Sequence, residues 1–132
     1  MKYTYLLPAI LWFFIIFWII SMPPSSIPRT PLFSIPHFDK LVHTGMFTVF
    51  VIFLIFGFDK QSKGIIFRHR YTFSLIIGVI YSIGTEWYQY VYVPGREGEF
   101  WDIMANLVGC ITGSLIFLYR EKIVPGFIYN KF

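Results

Sequence analysis

The sequence has few charged residues: Asp, Glu, Lys and Arg make up 14% of its 132 positions, whereas a soluble domain carries roughly 25%. Hydrophobic residues make up 56% of the chain and aromatic residues 22%, much of it in long runs of Phe, Ile, Val and Tyr. This shortage of charge argues against a soluble domain and predicts a protein integral to the membrane. A chain of this length is expected to form a single domain.

Cysteines, basic stripes and recognised catalytic motifs are also scarce or absent, and each absence reduces the number of functions that the sequence supports. The single Cys110 cannot form an internal disulfide, and we expect it to be a small buried residue within an apolar run. The basic residues lie at the ends of apolar runs rather than in a stripe, so nucleic acid is excluded as a partner. No metal-ligand spacing and no nucleophile motif is recognised, so no metal site is predicted and the cofactor is left unknown. A divalent ion held by Asp39, His43, Glu86 and Asp102 is an alternative that the sequence leaves open, because carboxylates and an imidazole together suit several ions.

Four stretches approach the length that a membrane-spanning helix needs, which is about 20 mostly apolar residues. They cover approximately residues 3–21, 41–58, 71–93 and 102–119. We therefore predict an all-α membrane protein with four transmembrane helices, forming one domain over residues 1–132.

The basic residues are distributed unevenly between the two sides of these predicted spans. Eight lie on one side, namely Lys2, Lys60, Lys63, Arg68, Arg70, Arg120, Lys122 and Lys131, and three lie on the other, namely Arg29, Lys40 and Arg96. Because Lys and Arg are enriched in cytoplasmic loops, we predict that the N- and C-termini are cytoplasmic and that loops 22–38 and 94–101 face outward. The predicted location is the bacterial inner (cytoplasmic) membrane, in a multi-pass arrangement.

The polar residues of the second and third predicted spans gather near the outer side. Asp39 and His43 are four residues apart and share one helix face. In the third span, Ser82, Glu86 and Gln89 form a polar stripe. Glu86 is expected to lie roughly 10 Å below the outer interface, at 1.5 Å per residue.

One face of the fourth predicted span carries polar residues at its start and glycines further along the helix. Asp102 and Asn106 are followed on the same face by Gly109 and Gly113, a spacing that lets another helix approach closely. Charged groups inside a membrane face one another or a water-filled cleft. We therefore predict that the three polar faces merge into one pocket open to the outer leaflet, with Arg96 above its mouth.

Several of these residues also have an ordinary structural interpretation. Glu86 could be only a partner for Lys40 or Arg96, and Asp102 could be only a helix N-cap, a position that favours Asp. Glu99, in the outer loop, is expected to be a solvated charge.

These residues together resemble the VanZ-like family of small membrane proteins. The resemblance rests on "FDKLVHTGMF" (38–47) and "TEWYQYVYVPGREGEFWDIMANLVGCITG" (85–113). The positions that match the family's pattern are Asp39, Lys40, His43, Glu86, Gln89, Pro94, Gly95, Arg96, Asp102, Asn106 and Gly109. Because the family's first member is linked to resistance to teicoplanin, a lipid-tailed glycopeptide, the resemblance implies a cell-envelope protein that contributes to antibiotic resistance.

The leading functional hypothesis is the binding of an amphiphilic ligand. That ligand would be a membrane lipid head group, a lipid-linked cell-envelope intermediate or a lipoglycopeptide such as teicoplanin. Lys40 and Arg96 would contact its phosphate or carboxylate, and Gln89 and Asn106 would form hydrogen bonds with its sugar or amide groups.

Two alternatives are left open by the sequence. The chain could be an intramembrane acid/base enzyme, a hydrolase or transferase acting on such a lipid. Glu86 would then be the general acid or base, with His43 oriented by Asp39 and with Asp102 orienting a water. Alternatively, the polar residues could only hold the helices together in a structural or partner-binding protein. A homo-oligomer or a protein partner is compatible with each hypothesis.

Overall fold

The computed structural model of the chain describes residues 3–61 and 63–123, and within them it contains helices and no strand. The all-α fold class is thereby confirmed. In chain order, the α-helices are α1 (Leu7–Ile20), α2 (Phe38–Asp59), α3 (Ile65–Arg68), α4 (Arg70–Tyr92), α5 (Phe100–Leu118) and α6 (Arg120–Ile123). A 3-10 turn at Tyr3–Leu6 precedes α1, and two more, Pro24–Ser26 and Pro31–Ser34, interrupt the loop before α2.

Three helical segments in the described part of the chain, rather than the predicted four, are long and apolar enough to cross a membrane: Tyr3–Ile20, Phe38–Asp59 and Phe100–Leu118. The prediction for 71–93 was wrong by this criterion, although Arg70–Tyr92 does form one helix of 23 residues. The reason is a buried polar stripe, which lowers the mean hydropathy of α4. It consists of Ser74, Ser82, Thr85, Glu86 and Gln89. The three apolar segments are those of a multi-pass membrane protein.

Helix α2 lies at the centre of the bundle and contacts α1, α4 and α5. Phe47, Phe50, Val51 and Ile55 are each at most 2% exposed, and their spacing places them on the inward side of the helix. Helix α1 is peripheral, because most of its large apolar side chains are exposed. Such an apolar outer surface is what a lipid environment requires.

The contact between α2 and α5 is the most extensive in the bundle. A Cβ atom on Gly109 would collide with the carbonyl oxygen of Thr44, and one on Gly113 would lie 2.5 Å from that of Thr48. The threonines also bond across this contact, since Thr44 Oγ1 lies 3.1 Å from the carbonyl oxygen of Ala105 and Thr48 Oγ1 lies 3.1 Å from that of Gly109. The helix that approaches the predicted glycine face is therefore α2, and it runs parallel to α5.

Ion pairs hold together the end of the bundle at which α2 ends and α4 begins. Asp59, the last residue of α2, forms an ion pair with Arg70 at the start of α4, at 2.9 Å, and lies 3.9 Å from Arg120 beyond α5. Lys2 and Lys131, which entered the predicted charge count, lie outside the described residues. These ion pairs join the end of α2 to the start of α4, so the end of α4 returns to the level at which α2 and α5 begin.

Candidate functional site

The beginnings of α2 and α5 and the end of α4 meet at one end of the bundle, and buried polar side chains gather there. His43, Glu86, Gln89, Asp102 and Asn106 are each at most 7% exposed. A buried polar group costs free energy unless it is hydrogen-bonded. The partners of these five residues therefore decide what the site can do.

Lys40 lies at the centre of an ion cluster at the edge of the site. Its Nζ is 2.5 Å from Asp102 Oδ1, 2.6 Å from Glu99 Oε2 and 2.8 Å from Asp39 Oδ2. The ammonium donates to all three carboxylates. Lys40 is thereby fully engaged, although the sequence suggested it as a contact for a ligand's phosphate or carboxylate.

Two of these carboxylates differ from the expectation. Glu99 was expected to be a solvated loop charge, yet it pairs with Lys40 although its side chain is 53% exposed. The suggestion that Asp102 is only an N-cap is wrong, because α5 begins at Phe100 with Glu99 as its N-cap residue. Asp102 lies in the first turn of the helix instead, where its negative charge suits the helix dipole.

His43 belongs to a buried hydrogen-bond chain across three helices. Its Nδ1 lies 3.0 Å from Asn106 Oδ1, and Asn106 Nδ2 donates to Ser82 Oγ at 3.0 Å. Because the amide nitrogen of Asn106 faces Ser82, its oxygen accepts a hydrogen bond from the Nδ1–H of His43. In the neutral ring the lone pair is then on Nε2, which lies 3.8 Å from Asp102 Oδ2.

Glu86 is the buried carboxyl group of the site that has no hydrogen-bond partner. Its side chain is 4% exposed, and neither Oε1 nor Oε2 has a partner among the described residues. Its Oε1 lies 3.8 Å from Nδ1 of His43. The suggested pairing with Lys40 or Arg96 does not occur, since neither cation is among its salt-bridge partners.

A cavity of about 280 Å³ lies beside these groups, between the ends of α1 and α4, the start of α2 and the loop that joins α1 to α2. Most of its wall is apolar, including Ile19, Val42 and Met46. Its polar lining consists of Asp39, His43, Gln89 and Arg96. The lining of the cavity is therefore largely apolar, in contrast to the polar pocket expected from the sequence.

Arg96 is the cation in the wall of this cavity. It is half-buried, and its Nη2 lies 3.4 Å from the carbonyl oxygen of Met22, a long hydrogen bond. Its Nε is buried and has no hydrogen-bond partner, and no described carboxylate forms an ion pair with it. Gln89 is more fully engaged, because its Nε2 donates to the carbonyl oxygen of Ile20 at 3.1 Å.

A family model described as VanZ/LLP1 matches residues 5–122 of the chain. The chain belongs to the VanZ/LLP1 family. The matched range contains all the site residues named above, and the resemblance drawn from the two motifs is confirmed at the level of the family. What this VanZ/LLP1 protein binds or catalyses does not follow from membership alone.

A similar protein occurs in fission yeast. "Uncharacterized protein C11E3.10" of Schizosaccharomyces pombe is 29% identical over 110 residues, which are 83% of this chain and 63% of the yeast protein. The chain thus spans less than two thirds of that relative's length. No solved structure matches the chain. With a relative in yeast, the bacterial inner membrane stays a prediction for this VanZ/LLP1 protein.

The eight predicted site residues fall into two groups in this VanZ/LLP1 protein. Four line the cavity: Asp39, His43, Gln89 and Arg96. The other four, Lys40, Glu86, Asp102 and Asn106, are not among its lining residues. His43 lines the cavity and contacts Asn106, and Asp39 lines it and pairs with Lys40, so these two residues connect the groups.

Sequence reasoning missed the loop that closes the cavity. Ile27, Pro28 and Phe33, from the loop before α2, all line the cavity wall. The available signal was the presence of large apolar residues in a segment that was predicted only to be an outward-facing loop. Thr44 and Thr48 were also missed, because a threonine in an apolar span is easily interpreted as a packing residue rather than as a hydrogen-bond donor between helices.

The arrangement can support two kinds of chemistry. A buried carboxyl group next to an imidazole is a combination used in acid/base catalysis. One imidazole nitrogen and two carboxylates can also hold a metal ion. His43, Glu86 and Asp102 offer one ligand atom each, within 4.8 Å of one another, and the more exposed Asp39, Glu99 and Asp102 do the same.

Proposed function

We propose that this VanZ/LLP1 protein binds an amphiphile that has an anionic head group, in the cavity beside Arg96. The observation that carries the proposal is the state of Arg96. Its guanidinium lies in a mostly apolar wall, its Nε donor is buried without a partner, and it pairs with no described carboxylate. A planar guanidinium is suited to binding a phosphate or carboxylate through two hydrogen bonds.

The size and lining of the cavity support an amphiphile over a small polar solute. A volume of about 280 Å³ lies just below the usual range for ligand sites, which is roughly 300–1,000 Å³. It suits a head group with the first part of a tail. The remaining tail could follow the exposed apolar surface of α1, which includes Phe17 and Trp18.

We also propose that α4 crosses the membrane, despite its polar stripe. Helices α2 and α5 are parallel and both are apolar enough to span. The chain therefore has to return across the bilayer between them, and α4 is the long helix available. Many of its outward side chains are apolar, for example Ile76, Ile80 and Ile83, and the residues of its polar stripe are buried. This supports four crossings with cytoplasmic termini, as the distribution of Lys and Arg suggests.

Cysteine labelling tests this topology. In a Cys110→Ala background, Glu97→Cys is expected to react with a membrane-impermeant maleimide added to intact cells, and Lys63→Cys is expected to react only after lysis. Both positions are exposed, so access is limited by the membrane rather than by burial. Labelling of position 63 in intact cells would contradict the proposed orientation.

The ligand class is open between a phospholipid, a lipid-linked cell-envelope intermediate and a lipoglycopeptide such as teicoplanin. Family membership supports the last two, together with a role in resistance at the bacterial inner membrane. The relative in a yeast supports a ligand found in both kinds of organism, such as an anionic phospholipid. We take the anionic phospholipid as the first probe.

Replacing Arg96 with glutamine is expected to weaken binding of phosphatidylglycerol about tenfold to a hundredfold, because hydrogen bonds to a charged partner contribute about 1.5–3 kcal/mol. Binding is measured by thermal shift of the purified protein in neutral detergent. Phosphatidylcholine and inorganic phosphate are titrated in parallel, to separate the contributions of the head group and the tail.

The matched control is Arg29→Gln, which removes an exposed arginine from the loop before α2. It should leave phosphatidylglycerol binding unchanged. The proposal is wrong if both variants bind as the unaltered protein does, or if phosphatidylcholine binds as tightly as phosphatidylglycerol.

An enzyme is the second candidate, favoured by one observation. The unpartnered carboxyl of Glu86 lies 3.8 Å from His43, which also lines the cavity. A bound lipid would therefore lie near an imidazole and a buried acid. Under this alternative, Glu86→Gln would abolish turnover of the lipid while its binding remained.

A further inference from the structure

We propose that His43, Glu86 and Asp102 form a binding site for a divalent transition-metal ion, a function that goes beyond the binding of an amphiphile. The three residues come from α2, α4 and α5, and one ligand atom of each lies within 4.8 Å of the other two. Their exposed fractions are 5%, 4% and 7%. A site of this kind joins three helices and is shielded from bulk water.

The orientation of the His43 ring is the first argument. Its Nδ1–H donates to Asn106 Oδ1 at 3.0 Å, which leaves the lone pair on Nε2, 3.8 Å from Asp102 Oδ2. Two electron-rich atoms at that distance form no hydrogen bond with each other. A metal ion bound to both, at about 2.0–2.2 Å from each, would hold them about 3–4 Å apart.

Asn106 would act as the hydrogen-bond acceptor that orients a metal-binding histidine. Histidine ligands usually donate their second ring N–H to a carbonyl or carboxylate oxygen, which fixes the ring and its tautomer. Here the amide of Asn106 is itself held by Ser82 Oγ at 3.0 Å. The imidazole of His43 is thus oriented before any ion arrives.

Glu86 supplies a second and independent argument. Its carboxyl group is almost completely buried, and neither oxygen has a side-chain hydrogen-bond partner in the part of the chain that the structure describes, although the backbone N–H of Glu99 approaches it. A carboxylate in that position costs several kcal/mol unless a cation or donor compensates it. A metal ion next to His43 would provide that compensation.

The balance of charges around the site also supports a bound cation. Asp102 uses Oδ1 for Lys40, at 2.5 Å, and turns Oδ2 towards His43. The single ammonium of Lys40 is shared with Asp39 and Glu99 as well. With Glu86 added, four carboxylates face two nearby cations, Lys40 and Arg96, and a divalent ion would offset the excess negative charge.

The donor set indicates which ions fit. One imidazole and two carboxylates suit Zn²⁺ or Mn²⁺ better than Mg²⁺ or Ca²⁺, which prefer oxygen ligands alone. Three protein ligands leave a coordination position open, as in catalytic rather than structural zinc sites. His43 also lines the cavity, so that position lies near the space proposed for the head group.

The test is a titration of the chelator-treated, purified protein with Zn²⁺ and, separately, Mn²⁺ by isothermal titration calorimetry. We expect one equivalent of at least one of these ions to bind. Glu86→Gln and His43→Gln are each expected to weaken binding about a hundredfold, and Asn106→Ala about tenfold to a hundredfold. Bound ion should also raise the melting temperature of the unaltered protein and leave that of Glu86→Gln unchanged.

Three control variants make the result specific. His69→Asn removes a histidine at the other end of the bundle and should bind as the unaltered protein does. Arg96→Gln should also retain metal binding, so failure of the lipid proposal and failure of this one are distinguishable. Glu99→Gln separates the buried site from the exposed group of Asp39, Glu99 and Asp102.

Glu86→Gln keeps the shape of the side chain and removes a buried charge, so it should fold; its elution volume on size exclusion verifies this. The proposal is overturned if neither ion binds saturably to the unaltered protein, or if Glu86→Gln binds as tightly as the unaltered protein. It is also overturned if Glu99→Gln, and not Glu86→Gln, abolishes binding.

Discussion

Replacing Gly109 with leucine is expected to lower the free energy of unfolding by about 3 kcal/mol or more, at the upper end of the usual cost of overpacking. The Cβ of any larger residue would collide with the carbonyl oxygen of Thr44, and that backbone cannot move without separating α2 from α5. The hydrogen bonds from Thr44 Oγ1 to Ala105 and from Thr48 Oγ1 to Gly109 would be lost with it. The measurement is thermal or SDS-induced unfolding of the purified protein.

The matched control is Gly45→Leu, the same substitution on α2. Nothing lies within 4 Å of a Cβ at Gly45, which is exposed. Leucine also has a higher helix propensity than glycine, by somewhat less than about 1 kcal/mol, so stability should be unchanged or slightly higher. Equal stability of Gly109→Leu and Gly45→Leu would contradict the close contact between α2 and α5.

Replacing Lys40 with methionine is expected to destabilise the protein by about 3 kcal/mol. Removing one partner of a buried ion pair typically costs about 3–5 kcal/mol, because the other charge is left uncompensated. Asp102, with 10% of its side chain exposed, is the partner to which this applies. Asp39 and Glu99 are more than half exposed, so water screens them and their pairs contribute little.

A double substitution separates this effect from a general loss of packing. Lys40→Met with Asp102→Asn removes both charges and should recover a substantial part of the lost stability. Lys63→Met, at an exposed position on the opposite end, should change the unfolding temperature little. If the double variant is as unstable as the sum of its parts, the contact between Lys40 and Asp102 does not have the energetic role described here.

Helical periodicity explains why much of the site could be predicted. Asp39 and His43, and likewise Asp102 and Asn106, are four residues apart, so each pair had to share a face of its helix. The glycine face of α5 implied a close neighbour at the same depth as those polar groups. These are properties within single helices, which a sequence specifies directly.

What could not be predicted depends on relations between helices and loops. Lys40 and Arg96 looked equally available to an anion, yet Lys40 is occupied by three carboxylates and Arg96 by none that the structure describes. The difference arises from the packing of α5 against α2, which brings Asp102 to Lys40, and from Glu99, which lies in an irregular segment without a helical period. For the same reason, the apolar loop residues Ile27 and Phe33 were not foreseen as part of the cavity wall.

The count of apolar spans failed for a different reason. The span over 71–93 was predicted from its length and its many apolar residues. Those residues lie on the outer face of α4, whereas its inner face is polar. Averaged over the helix, residues such as Ser82 and Glu86 lower the hydropathy. They can be accommodated because they are buried against α2 and α5 rather than exposed to lipid.

Native mass spectrometry of the gently purified protein tests the central claim most directly, by comparing the unaltered chain with Arg96→Gln and Glu86→Gln. Binding of an amphiphile beside Arg96 predicts a lipid-sized adduct on the unaltered chain and on Glu86→Gln, and its loss from Arg96→Gln. An adduct that accumulates only on Glu86→Gln would contradict simple binding and indicate a stalled enzyme. No adduct on any of the three would contradict both, and the polar network would then serve to hold the helices together.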